Sequence, residues 1–319
     1  MAAAVRDSGA RVSGDVVIVG AHVQGLFMHV ESAIAEGESV RGWGYDEPLD
    51  GGKATNQAIA AARLGAPVAL VSVLGDDDRG RRALAYLGRE GVDTRWVRVV
   101  EGRPTDVGFV MLPPSGIPII ASSPDLTSWF DAESVAAAAD VIRGASIVAA
   151  QLEASIDAVA AAFTVAREGR ALTILNPSPC RDVDSALMAE VDLLVANHHE
   201  AAAMLGATAA PAELAARLAA RWPESQAIVT AGELGAFYAG YDLNVVHAPA
   251  ERVDAVDTTG AGDQFLGALV AALHDGARLP EATAFAVAAA SHSVRFPGSI
   301  ESYADRADLA APVERPLLP

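Results

Sequence analysis

Short β-branched runs alternate with alanine-rich segments of helical period along nearly the whole chain, and this rhythm restricts the fold most. "DVVIVGA" (15–21) reads as a buried strand. "KATNQAIAAARLG" (53–65) reads as a helix stopped by Gly65, "PVALVSVLG" (67–75) as a strand, and "DRGRRALAYLGREG" (78–91) as a helix with another glycine stop. The alternation resumes with strands at 145–152, 171–179, 191–197 and 226–232. Helices are predicted at 155–169, 198–205, 212–222, 261–275 and 280–295. Such alternation predicts an α/β fold, a mostly parallel sheet covered by helices. Ligands of these sheets bind at the carboxyl ends of the strands. Attention therefore falls on the loops "NPSP", "NHHE", "TAGELG" and "DTTGAGD".

Two regions break the rhythm. Residues 22–50 and 103–123 carry extended, hairpin-like patterns, with Pro-Pro-Ser-Gly as a turn in the second. No long helix separates their strands, which suits a small antiparallel flap beside the main sheet. One domain is expected over 14–311, with residues 1–13 and 312–319 as loose termini.

The 319 residues allow a sizeable core, and the formal net charge of −18 opposes nucleic-acid binding. A polyanionic ligand would need local attraction from backbone N–H groups, a few cations or metal ions. The single cysteine, Cys180, excludes an internal disulfide framework and reads as a small apolar residue rather than a nucleophile. The start lacks an apolar signal region, and no uninterrupted apolar run reaches the roughly 20 residues a membrane span needs. A soluble cytoplasmic protein is expected.

The stretch "VDAVDTTGAGDQFLGALVAAL" (253–273) carries the most chemistry. Gly260, Ala261 and Gly262 precede a helix with Phe265, Leu266, Leu269 and Leu273 on its apolar face. A helix start presents unpaired N–H groups and the positive end of its dipole, and small residues let an anion approach. Asp263, in the first turn, could take the proton of a hydroxyl attacking phosphorus. Asp257 could brace the loop or hold a cation. The plainer alternative is an acidic cap and a glycine turn that only start a helix. No Gly-Lys-Ser/Thr follows, so this is not a P-loop.

"DTTGAGDQFLGAL" is similar to the C-terminal signature of the ribokinase-like (PfkB) carbohydrate kinases. "DGGKATNQAIAAARLGAPVALVSVLGDDDRG" (50–80) resembles their N-terminal signature. "QLE" (151–153), "NPSP" (176–179), "NHHEAAAM" (197–204) and "TAGELGAFY" (230–238) follow in the family's order. The resemblance implies a doubly wound sheet with a β lid, and an ATP- and Mg²⁺-dependent kinase for a sugar-like alcohol. It gives Asp263 the role of base and makes the amides of Gly260, Ala261 and Gly262 an anion hole. Asn197 and Glu200 would organise Mg²⁺ and phosphate through waters, and Thr230, Gly232 and Gly235 would form the nucleotide loop. Gly51, Gly52, Lys53, Asn56 and Glu153 would face the sugar. Glu200 as an exposed first-turn residue, Lys53 as a solvated helix-start lysine and Gly235 as a hairpin glycine are the structural alternatives.

Many members of the family are activated by a monovalent cation. Asp257, Thr259, Ser293, Phe296, Gly298 and Ser302 fall at matching positions, where backbone oxygens would suit K⁺. A homodimer through the lid is expected by analogy.

The chain departs from the family at "GAHVQG" (20–25), where Gly-Ser-x-Asn-x-Asp is usual. Val23 replaces the Asn and Gly25 the Asp that grips sugar hydroxyls; strand alternation puts both on one face. His22, Gln24, His29, Asp46 and Asp50 lie nearby and read as surface or lid residues rather than substitutes. Ala54-Thr55 also replaces the usual Gly-Ala. The expected activity is phosphorylation of a sugar or polyol other than plain ribose. A nucleoside kinase and a non-catalytic sugar- or nucleotide-binding regulator are the alternatives.

Overall fold

The computed structural model describes residues 14–48, 51–115, 119–123 and 129–310; the expected loose termini and Asp50 lie outside them. The chain opens with β1 (Val16–Val19), then β2 (Gln24–Val30) and β3 (Gly42–Asp46). Helix α1 (Lys53–Arg63), β4 (Val68–Gly75) and α2 (Asp78–Arg89) follow, then β5 (Val92–Asp93), β6 (Val97–Val100), β7 (Val107–Leu112) and β8 (Ile119–Ser122). The middle of the chain contains α3 (Ala132–Ala137), α4 (Ala139–Gly144), β9 (Ile147–Gln151), α5 (Ile156–Glu168), β10 (Leu172–Asn176) and α6 (Ser185–Met188). Next come β11 (Leu193–Asn197), α7 (His198–Leu205), α8 (Pro211–Arg221), β12 (Gln226–Thr230), β13 (Ala236–Ala239) and β14 (Val245–Ala248). Helices α9 (Ala261–His274), α10 (Leu279–Ser293) and α11 (Arg306–Ala310) complete the described chain.

The large sheet runs β14-β13-β12-β11-β10-β9-β1-β4-β5, with β6 also paired to β4. Every pairing in it is parallel except β12–β13 and β13–β14. Its interior strand β1 is buried at all four residues, as both-face coverage requires of a continuous apolar run. Two apolar clusters result, one on each face. One joins Ile18, Leu70 and Ile147 to α1, α9 and α10; the other joins Val17, Val71 and Val148 to α5 and α8. The doubly wound expectation therefore holds. The predicted elements are present with ends moved by a few residues; the strand expected at 171–179 stops at Asn176.

A second sheet, in the order β3-β2-β7-β8, is built from the two regions that broke the rhythm. Its β2–β7 pair is parallel, so it is not wholly antiparallel as the flap was expected to be. The reason is the connection: β2 and β7 are separated by β3 through β6, long enough for a crossover rather than a hairpin.

Helices α1 and α9 approach almost backbone to backbone. A Cβ placed on Gly267 would lie 2.4 Å from the Ala60 Cβ and 2.8 Å from the Ala61 nitrogen. Only glycine fits there without moving a helix.

His22, expected at the surface or in the lid, is instead buried in the β1–β2 connection, with Nδ1 3.0 Å from Thr55 Oγ1. Gln24 is likewise buried, donating to the Pro48 carbonyl. Thr55 departs from the family's small residue, so Thr55 and His22 form one paired polar contact inside the fold. Burial lowers the His22 pKa to about 4, against a smaller opposing pull from Asp77. The imidazole is thus neutral when folded and takes its proton more easily unfolded. Its contribution is whole above the unfolded pKa near 6.5 and is lost as pH falls towards 4. This amounts to at most ~3 kcal/mol. Denaturant melts of wild type and His22→Gln from pH 7 to 4 are expected to show a flatter acid limb in the variant; parallel limbs would refute the assignment.

Candidate active site

Five neighbouring parallel strands deliver polar or bare residues to one edge of the sheet. Gly20 follows β1, and Gln151, Asn176, Asn197 and Thr230 end β9, β10, β11 and β12. Gln151 pairs in register with Asn176, and Asn197 with Thr230. Over this edge lies the start of α9, so the carboxyl-end rule brings strand ends and a helix N-terminus together. A cavity of about 230 Å³ between them is lined by Lys53, Asn176, Asn197, Glu200, Thr230, Gly260, Gly262 and Asp263. Residues from five separate sequence motifs thus meet at one place.

Asp263 sits in the first turn of α9, as expected, but it is no solvated cap. Its Oδ1 accepts from Gln57 Nε2 at 2.8 Å and its Oδ2 more loosely from Asn56 Nδ2 at 3.4 Å. Burial raises its pKa; Lys53, Gln57 and Asn56 offset part of that rise and Glu200 adds to it. A carboxylate with its proton affinity raised by burial suits a general base.

Gly260 caps α9 in the left-handed region, φ 72°. A Cβ there would lie 2.5 Å from Ser299 Oγ and 2.6 Å from Tyr303 Oη, so both conformation and space demand glycine. At Gly262 a Cβ would meet nothing within 4 Å, because that position opens onto the cavity. At this helix start the Ala261 N–H already donates to the Thr258 carbonyl at 3.3 Å, while Gly260 and Gly262 line the cavity.

The loop before α1 is equally constrained. Gly51 and Gly52 have φ 150° and 76°, and Cβ atoms there would strike the Val23 and Ala21 carbonyls at 1.8 and 2.5 Å. This close crossing presses the loop against "GAHVQG" and aims the first turn of α1 into the cavity. Lys53 is half-buried and lines the cavity, not solvated on a helix surface. Burial opposes its charge, but Asp263, Glu153 and Glu200 outweigh it and hold its pKa above the ordinary value. Glu153 Oε2 accepts the Lys53 backbone N–H at 2.7 Å; burial raises the Glu153 pKa, and Lys53 counters part of the rise. Asn56, expected to face the sugar, is turned inward: Nδ2 also reaches Ser299 Oγ at 3.2 Å, and Oδ1 accepts from Gly51 N at 3.3 Å.

Asn197 and Glu200 form a reciprocal capping box on α7, with Asn197 Oδ1 accepting from the Glu200 N–H and Glu200 Oε2 from the Asn197 N–H, both at 2.9 Å. Beyond them opens a cleft of about 1000 Å³, floored by Val253, Phe265, Val287, Ala290 and Val294 and edged by Thr230, Gly232 and Gly235. Its apolar floor suits a planar base, and the α9 N-terminus at its inner end suits phosphates. Gly235 also serves the hairpin, since a Cβ there would lie 2.1 Å from the Ala248 carbonyl. Among the described residues, no group of three or more His, Cys, Asp or Glu side chains could hold a metal ion.

Asp257 clamps its loop by accepting from Thr259 N at 2.9 Å and Gly298 N at 3.0 Å. Burial would raise its pKa, yet these donors outweigh it and keep the pKa low. The Ser293 and Ser302 hydroxyls donate to the Ala290 and Ser299 carbonyls, and Phe296 exposes its ring. Cys180 is exposed and free.

Four contributors escaped sequence reasoning as side chains: Gln57, Gln151, Asn176 and Ser299. Gln57 did carry a signal, because it lies one helical turn from Lys53 and so shares its face.

The pfkB family carbohydrate kinase model matches residues 17–306, so the chain belongs to that family. It is an ATP-dependent sugar kinase. It is 30% identical over 293 residues to the ribokinase of Staphylococcus aureus (strain COL), spanning 90% of this chain and 96% of that one. A deoxyribokinase of Salmonella typhi is 28% identical over 293 residues, spanning 91% and 95%. The solved structure of Arabidopsis thaliana ribokinase complexed with ribose and ATP superposes with TM-score 0.84 at 26% identity, covering 93% of this chain and 98% of that one. No helix among the described residues is long and apolar enough to cross a membrane.

Proposed function

We propose that this kinase transfers the γ-phosphoryl group of ATP to a hydroxyl of a sugar or sugar-like alcohol other than plain ribose. Asp263 removes the proton of the attacking hydroxyl, and the N–H groups at Gly260–Gly262 receive the developing negative charge. Lys53 offsets that charge from the acceptor side. Asn197 and Glu200 would hold Mg²⁺ through waters, and Thr230, Gly232 and Gly235 would edge the nucleotide. When bound, Mg²⁺-ATP supplies the transferable phosphoryl group. Asp257 and the 293–302 loop brace the start of α9, and K⁺ bound there would stiffen the same loop. The second sheet acts as the lid over the acceptor.

The observation that carries the acceptor assignment is at Gly25. A Cβ built there lies 2.5 Å from Phe27 Cε2. The position that resembles a hydroxyl-gripping aspartate is therefore backed by an aromatic ring, with Val23 beside it: a Cβ on Gly108 would meet Val23 Cγ1 at 3.5 Å. A wall of this kind favours an acceptor with an apolar face or one hydroxyl fewer, such as a deoxypentose. The aromatic ring also favours a second reading, a nucleoside whose base packs on Phe27. Each unmet hydroxyl costs ~1–3 kcal/mol, so kcat/KM for ribose is expected to trail the best acceptor by on the order of 10²-fold. Steady-state rates with ribose, 2-deoxyribose, hexoses, polyols and nucleosides test this, with the mass in solution, expected to be that of a dimer, measured alongside. Ribose at the head of that panel would sink the acceptor assignment.

A further inference from the structure

A chain of side-chain amides, with Gln57 and Gln151 buried and Asn176 half-buried, crosses the sheet edge and ends on Asp263. Asn176 Nδ2 donates to the Val195 carbonyl at 2.9 Å. That carbonyl can only accept, so the Asn176 amide has one permitted orientation, with Oδ1 turned towards Gln57. Oδ1 needs a donor, and Gln57 Nε2 supplies it at 3.3 Å. The same nitrogen donates to Asp263 Oδ1 at 2.8 Å, while Gln57 Oε1 accepts from Gln151 Nε2. Gln57 and Gln151 are fully buried. Gly20 makes room for the last amide: a Cβ there would lie 2.3 Å from Gln151 Oε1.

We infer that Gln57 is a positioning residue whose amide, fixed in polarity by Asn176, holds Asp263 Oδ1 and leaves Oδ2 to take the acceptor's proton. One backbone carbonyl on β11 thus decides which group faces the base. Flipping Gln57 would set its oxygen against both Asp263 Oδ1 and Asn176 Oδ1 and lose two donors at once. The grip is asymmetric: the nearest donor to Oδ2, Asn56, is at 3.4 Å. Other charged groups around Asp263 are Lys53 on α1, Glu153 after β9 and Glu200 on α7. None of them is part of the amide chain. A neutral amide also cannot change charge with pH, so it orients the base without competing for its proton.

This inference rests on Asp263 being the base, and three variants separate the two. Rates with ATP and the best acceptor of the panel above are measured across pH for wild type, Gln57→Met, Asn176→Leu and Asp263→Asn. Gln57→Met is expected to lower kcat about ten- to a hundredfold, with acceptor KM little changed. Loss of a donor to the carboxylate raises its pKa, so the acid limb of the profile should move up by about one unit. Asn176→Leu should move limb and kcat in the same directions by less, and it serves if Gln57→Met does not fold. An unmoved limb, or a loss confined to KM, overturns the positioning role while an inactive Asp263→Asn leaves the base in place. Full activity of Asp263→Asn, or no turnover in wild type with any acceptor of the panel above, overturns both.

Discussion

Asp263→Asn is expected to lower kcat by about 10³-fold while nucleotide affinity stays within a few-fold of wild type. Asparagine has nearly the same shape, and its oxygen can still accept from Gln57 Nε2, so the start of α9 keeps its place. What disappears is the acceptor for a proton. The N–H groups proposed to receive the transferring group are backbone and remain, so their electrostatic stabilisation is untouched and a residual rate persists. The wild-type profile should show activity rising with pH through a limb above the ordinary aspartate value, since burial raises this carboxyl. Steady-state kinetics and calorimetric ATP binding check both halves. A variant at full rate would remove Asp263 from the chemistry, and one that no longer bound ATP would make its role structural.

Gly262→Ala should separate stability from activity with opposite signs. Gly262 lies inside α9, where alanine is favoured over glycine by roughly 0.5–1 kcal/mol, and its Cβ would meet nothing within 4 Å. The protein should therefore melt slightly higher. The same methyl group projects into the space through which an anion reaches the helix N–H groups, so kcat is expected to fall on the order of 10²-fold. The neighbour two residues back supplies the contrast. Gly260→Ala forces a left-handed φ of 72° on a Cβ that also collides with Ser299 and Tyr303, so melting should fall as well as rate. Equal activity of Gly262→Ala and wild type would mean that no anion binds there.

The architecture was legible because each layer wrote its period into the chain. Val16–Val19 is apolar without alternation, as a strand covered on both faces must be, and glycine follows α1 and α2 within two residues of their ends. Short pieces with little period of their own, such as β5, α3 and α6, left no comparable trace. At the site, Asp263, Lys53, Asn197, Glu200 and Thr230 all line one cavity, having been named from local motifs. Gln57 was not named, because its partners lie 94, 119 and 206 residues away along the chain. His22 was misjudged for the same reason, since burial and Thr55 together give a ring in a loop its place.

The glycine contact between α1 and α9 has a mechanical meaning. Lys53, Asn56 and Gln57 ride on one of these helices and Asp263 on the other, and Gly267 lets the two lie against each other with no side chain as a spacer. The proposed base, the lysine and the amide brace are therefore carried on one closely packed helix pair. The second sheet carries none of these side chains, since its strands β2, β3, β7 and β8 lie outside both helices. Closure of that sheet over the acceptor, as proposed above, would leave the geometry of the helix pair beneath it unchanged.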